Sequence, residues 1–176
     1  MTRQCGGCTA CCKILPVVEL QKPALTRCQH QRHGKGCSIY ATRPPSCRLW
    51  SCLWLTDPQT ADLSRPDRSH YVIDPVPDYV TALKEDGSRE DWPVIQIWVD
   101  ERHPHAHRDP ALRVMLDEYK VMAIVRTGSD QAFLLVPPSK NPAGTWVEQR
   151  SNVNMDRERD PGRTRRAWEI FNEASL

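Results

Sequence analysis

Beyond residue 69, short apolar runs recur at strand length. Tyr71-Val72-Ile73 and residues 79–84 predict two strands, followed by a turn at Glu85-Asp86-Gly87-Ser88, where Asp-Gly is a hairpin signal. Residues 94–99, Val-Ile-Gln-Ile-Trp-Val, form the clearest strand of the chain. Asp109-Pro110 then predicts a helix start, because Asp caps and Pro suits the first helical position. Leu112, Met115, Leu116 and Tyr119 follow at helical spacing. Residues 121–125 and 132–136 predict two strands joined by Thr127-Gly128-Ser129-Asp130, the second ended by Pro137-Pro138. Residues 145–148 add a short strand. A last helix is expected over 164–174, with Ala167, Ile170, Phe171 and Ala174 on one face.

Residues 1–55 lack this periodicity. Residues 55–68 are polar and broken by Pro58 and Pro66, and read as a connection. The organisation expected is a cysteine-rich region at 1–55, a body at 69–150 and a C-terminal helix or tail at 151–176. The fold class is α+β: a small cysteine-rich metal-binding region packed on a mostly antiparallel α+β body. Fifteen prolines and eight glycines in 176 residues argue against a helical bundle. No run of 18 apolar residues occurs, so no membrane span is expected. The N-terminal stretch turns polar and cysteine-rich without an apolar segment of signal length, so the expected compartment is the cytoplasm.

The cysteines change the picture most. All eight lie between Cys5 and Cys52, spaced Cys5-x2-Cys8-x2-Cys11-Cys12, then Cys28, Cys37, Cys47 and Cys52. Thiols of a cytosolic chain stay reduced, so clustering on this scale points to metal. Two-residue gaps let successive thiolates turn toward one centre, and Gly6 and Gly7 suit a tight knuckle that aims backbone N–H groups at sulfur. Eight thiolates fit two zinc sites of four ligands each. They equally fit a [4Fe–4S] cluster with four cysteines left over, since C-x2-C-x2-C is a recognised iron–sulfur run. On spacing alone Cys5, Cys8 and Cys11 form the primary centre. Cys47 is then its fourth ligand or the bridge to a second centre, and Cys12 and Cys52 lie further out.

Charge follows the same division. Residues 1–52 carry eight basic residues against one acid, Glu19, a net of +7, while the remainder is −5. Metal centres with four thiolate ligands each carry a formal charge of about −2, so much of this excess balances thiolate. A nucleic-acid partner is not expected, because the basic residues are not interleaved with aromatic ones on a readable strand. The arginines of residues 155–176 are matched by as many acids.

The strings CGGCTACC and GCSIYATRPPSCRLWSC, with Cys28 between them, resemble the YkgJ-like cysteine-cluster family, a zinc- or iron-chelating domain. The resemblance rests on the eight cysteines, Ile39-Tyr40, Arg43-Pro44 and Cys47-Arg48, and covers residues 5–52. It implies a metal-binding protein with Cys5, Cys8, Cys11, Cys12, Cys28, Cys37, Cys47 and Cys52 as ligands. The cysteine string is also similar to that of flagellin lysine N-methylases, which implies, as the alternative, an iron–sulfur enzyme of redox or methyl-transfer chemistry.

Tyr40, Arg43 and Arg48 stand between the later cysteines, where they are expected to support the centre by hydrogen bonds or charge. Trp50 and Trp54 flank Cys52 and are expected to roof the site against water. His30 and His33 are expected in an exposed loop. His103, His105 and His107 would share one side if extended, as a three-histidine metal site requires, but their polar flanks favour a solvated loop.

Overall fold

The computed structural model describes residues 3–83, 86–128 and 131–150; the expected helix at 164–174 lies outside them. The fold is α+β. Five short α-helices occur among the described residues: α1 (Ala10–Ile14), α2 (Pro45–Leu49), α3 (Leu53–Thr56), α4 (Pro66–Ser69) and α5 (Pro110–Glu118). Strands β1 (Gln31–Arg32) and β2 (Gly36–Cys37) make a two-residue hairpin ladder. Strands β3 (Tyr71–Leu83), β4 (Arg89–Val99), β5 (Met122–Arg126), β6 (Ala132–Val136) and β7 (Val147–Gln149) form one sheet in chain order. Every pair in it is antiparallel except β4–β5, which needs a crossover, and α5 lies in that connection.

Two expected strands are one. Asp74-Pro75-Val76-Pro77 reads as a break, yet β3 runs through it, with a register irregularity between Asp74 and Asp78. The edge position of β3 explains this, since an edge strand keeps one side free of ladder bonds and so tolerates residues without N–H. Strand β4 likewise starts earlier than expected, because Arg89–Pro93 pair only with β3, outside the reach of β5.

The two sheet faces follow from alternation. Tyr71, Ile73, Ile95, Ile97, Val99, Ala123, Val125, Phe133 and Leu135 point to the face that α5 covers with Leu112, Met115 and Leu116. The helix is fixed there by its cap: Asp109 Oδ1 accepts the Ala111 N–H at 3.0 Å, and Asp109 Oδ2 accepts the Tyr71 hydroxyl at 3.0 Å. Val72, Val94, Met122, Ile124 and Leu134 point the other way and are also buried, so these strands are apolar on both sides.

The cysteine region sits on this second face, at the β3 end. Val72 packs with Ala10 and Ile14 of α1, and Cys8, Cys52, Trp50 and Trp98 surround them. Residues 55–68 are a compact connection with two helical turns. Arg3 ties the N-terminal segment to it, donating to the Trp54 carbonyl at 2.5 Å, to Thr60 Oγ1 at 2.6 Å and to the Thr60 carbonyl at 2.7 Å.

Candidate metal centre

All eight cysteines line one cavity of about 310 Å³. They come from separate stretches of chain, and local structure explains how each is aimed. The Cys5–Cys8 segment is a turn closed by the Cys8 N–H on the Cys5 carbonyl at 2.8 Å. Gly6 supplies the positive φ of 50° that this turn needs. Gly7 serves a different purpose: a Cβ there would stand 2.4 Å from the Gly34 carbonyl oxygen. The knuckle therefore docks flush against the β1–β2 hairpin, which carries Cys37. Gly7→Ala should force these segments apart, cost about 1–3 kcal/mol of stability and reduce metal content. Unfolding curves and metal analysis of the variant check this, and a variant as stable and as loaded as the parent would contradict it.

Cys11 and Cys12 lie on α1, and the Cys28 N–H donates to the Cys12 carbonyl at 2.9 Å, bringing Cys28 beside the helix. Cys47 is on α2, and Cys52 caps α3. The start of α2 is braced by Glu19, whose carboxylate accepts the Ser46 N–H at 2.9 Å and its hydroxyl at 2.6 Å.

The thiols sense one another across the cavity, and Cys12 is felt by Cys5 and Cys11 as well as by Cys47. Cys52 is pushed up to about 11, first by burial, with the charges of Cys5 and Cys8 adding to it. Cys11 is held well above the ordinary thiol value, first by its hydrogen bond to Cys12, then by burial, with Cys12, Cys8 and Cys5 contributing. Cys47 is raised by burial and feels Cys12 and Cys28 instead. Cys12 is drawn down to about 7, chiefly by the Cys11 hydrogen bond, with Lys22 and Arg43 assisting. The Leu55 N–H donates to the Cys52 carbonyl at 2.9 Å, and the backbone N–H groups of Ala10 and Asp67 work against the burial that raises Cys8. Such N–H···S contacts stabilise thiolates in metal knuckles.

Of the expected supporting residues, Tyr40 and Arg43 line the cavity, and the Arg43 guanidinium stacks 3.7 Å above the Tyr40 ring. Burial raises Cys5, opposed by the Arg43 charge, which also helps to lower Cys12. Arg48 is exposed and is not among the lining residues. Trp50 and Trp54 both line the cavity, and each indole is anchored: Trp50 donates to Asp74 Oδ1 at 3.1 Å and Trp54 to the Leu63 carbonyl at 3.0 Å. His30 lines the cavity and His33 is exposed.

Three further residues belong to the site. Lys22 is 7% exposed, and its ammonium donates to the carbonyls of Leu15 and, at 3.1 Å, Pro23. Burial pushes its pKa down, opposed by the charges of Cys28, Cys12, Cys11 and Cys47. Asp74 and Trp98 reach the cavity from the sheet. The Trp98 indole N–H is buried and has no acceptor among the described residues.

The histidines of 103–107 do not share a side. His107 is 1% exposed, set edge-on to Phe133, with Nε2 3.0 Å from Glu148 Oε1 and Nδ1 3.1 Å from the Pro104 carbonyl. It is a packed core residue rather than part of a solvated loop. His105 is exposed, and His103 stacks on His70.

No family model, curated protein or solved structure matches this chain. The resemblance to the cysteine-cluster family thus stands on residues 5–52 alone.

Proposed function

We propose that the protein binds metal, holding an iron–sulfur or zinc centre through Cys5, Cys8, Cys11, Cys12, Cys28, Cys37, Cys47 and Cys52. The observation that carries this reading is the convergence of all eight thiols, from distant parts of residues 5–52, on a single cavity. The surroundings fit an anionic, soft-ligand centre. The buried Lys22 ammonium and the Arg43 guanidinium supply countercharge, backbone N–H groups favour the Cys8 thiolate, and Trp98 presents a buried donor without an acceptor among the described residues.

The C-x2-C-x2-C run of Cys5, Cys8 and Cys11 is the feature that favours iron–sulfur over mononuclear zinc. Four sulfurs around one zinc ion lie about 3.8 Å apart, from a Zn–S bond near 2.3 Å. A four-iron cluster spreads its ligands more widely, since each cysteine binds a different iron. Such a centre, when bound, supplies electron transfer or a Lewis-acidic iron. The chain's own groups orient the thiols, neutralise their charge and exclude water with Trp50, Trp54 and Trp98.

The second reading is an iron–sulfur enzyme of redox or methyl-transfer chemistry. Its support is the buried carboxylate of Asp74 on the cavity wall, a polar group beyond what metal ligation requires. Protein purified anaerobically should contain iron and acid-labile sulfide and absorb broadly near about 400 nm. Zinc in a colourless protein would overturn the iron–sulfur preference, and protein that takes up neither metal would overturn the function.

A further inference from the structure

A second group of metal-competent side chains lies outside the thiol cavity, at the Tyr71–Val99 end of the β3–β4 ladder. His70 ends α4 in the left-handed region, with φ 62°, and leads directly into β3. Asp100 follows the last residue of β4, and His103 lies one turn beyond. Backbone bonds join the three: Asp100 N–H to the His70 carbonyl at 2.9 Å, and His103 N–H to the Asp100 carbonyl at 2.7 Å. They extend the Tyr71–Val99 end of the β3–β4 ladder, so the positions are set by the two longest strands of the sheet. One nitrogen from each ring and one carboxylate oxygen all lie within 4.8 Å of one another.

We propose that His70, Asp100 and His103 form a cysteine-free site for a divalent first-row transition ion, for which the Lys13 ammonium is the competing resident cation. The donor set selects the ligand class. Two imidazoles and one carboxylate suit zinc, nickel, cobalt or ferrous iron, whereas magnesium and calcium require mostly oxygen. Asp100 is 8% exposed while His103 is exposed, so the carboxylate forms the floor and the open side leaves coordination positions for water.

The rings now stack face to face, 3.5 Å apart and 8° from parallel. A lone pair lies in its own ring plane, so parallel rings do not aim at a common point, and the exposed His103 must turn for both nitrogens to meet one ion. Asp100 Oδ2 is held by Lys13, and Oδ1 accepts the Arg102 N–H at 3.1 Å. A divalent ion therefore displaces Lys13 or shares the carboxylate with it. Lys13 belongs to α1, beside Cys12, so the ion and the cysteine cavity are joined by one five-residue helix.

The test is calorimetric titration of untagged protein, its cysteine centre left as purified, with Ni²⁺. Wild-type protein should take up one equivalent. Asp100→Asn and His103→Ala should weaken binding at least tenfold, and His105→Ala should leave it unchanged. His70→Asn, a substitution compatible with positive φ, should weaken it similarly. Lys13→Met should tighten binding, a result that a purely structural histidine stack would not produce. Histidine resonances in NMR spectra should show the stack opening as nickel is added. Because His103 is exposed, its alanine variant keeps the fold and gives the decisive comparison. Wild-type protein without a nickel site, a His103→Ala variant that binds as tightly as wild type, or a Lys13→Met variant that binds no better would overturn the proposal.

Discussion

Single cysteine-to-serine replacements will divide the thiols by metal content, and Cys52→Ser will fall with Cys5→Ser, Cys8→Ser and Cys11→Ser. Each of these four should lose most of the metal bound at one centre. The reason is the neighbourhood of each sulfur rather than its spacing. Cys52 is at the start of α3, where it senses Cys5 and Cys8, and Cys11 senses both of them. Cys47, on α2, senses Cys12 and Cys28 and sits with Lys22. Spacing alone makes Cys47 the fourth ligand of the primary centre or the bridge to a second one; the expectation is that Cys52 takes that fourth place and Cys47 belongs with Cys12 and Cys28. Loss of a ligand removes several kcal/mol of metal affinity, while loss of a packed thiol costs about 1 kcal/mol. Metal and sulfide analysis of all eight variants is the measurement. Full metal retention in Cys52→Ser, with loss in Cys47→Ser, would restore the grouping that spacing suggests.

Removing the metal should melt the cysteine region well below the sheet. The two parts are unequally held: fourteen buried residues form the core between α5 and the sheet, against three in the cluster that joins α1 to β3. Burial also raises Cys5, Cys8, Cys47 and Cys52, so a metal-free cavity keeps these thiols neutral and leaves the buried Lys22 ammonium with Cys12 as its nearest low-lying thiol for countercharge. Metal binding in comparable thiolate sites contributes on the order of 10 kcal/mol at neutral pH, which exceeds what so small an apolar cluster supplies. Chelation under reducing conditions should split the thermal transition, open the Lys and Arg sites of residues 3–52 to trypsin and leave the β-sheet signal in circular dichroism. A single transition at an unchanged temperature would show that the region stands without metal.

The body of the fold was legible because its signals are local. The Asp109-Pro110 cap, the 3.6-residue stripe of α5 and the apolar strands β5 and β6 all read directly from neighbouring residues. The prolines of β3 misled because their tolerance depends on an edge position, which is a property of the whole sheet. At the site, the cysteines announced themselves by number, and Tyr40, Arg43, Trp50 and Trp54 by adjacency. Lys22, Asp74 and Trp98 did not. Lys22 resembles any surface lysine until the Val17–Lys22 bridge folds it inward, and Asp74 and Trp98 reach the cavity only through the pairing of β3 with β4. His107 was misjudged for the same reason, since Glu148 and Phe133 approach it from distant strands.

The edge position of β3 also bears on how the protein avoids self-association. Its thirteen residues would offer a long template for another chain to extend the sheet. Pro75 and Pro77 carry no N–H and so remove two donors from the strand, and the irregularity between Asp74 and Asp78 shifts its register midway. An incoming strand meets missing partners where it would need a continuous ladder. The residues that obscure the strand in the sequence thereby guard it against aggregation.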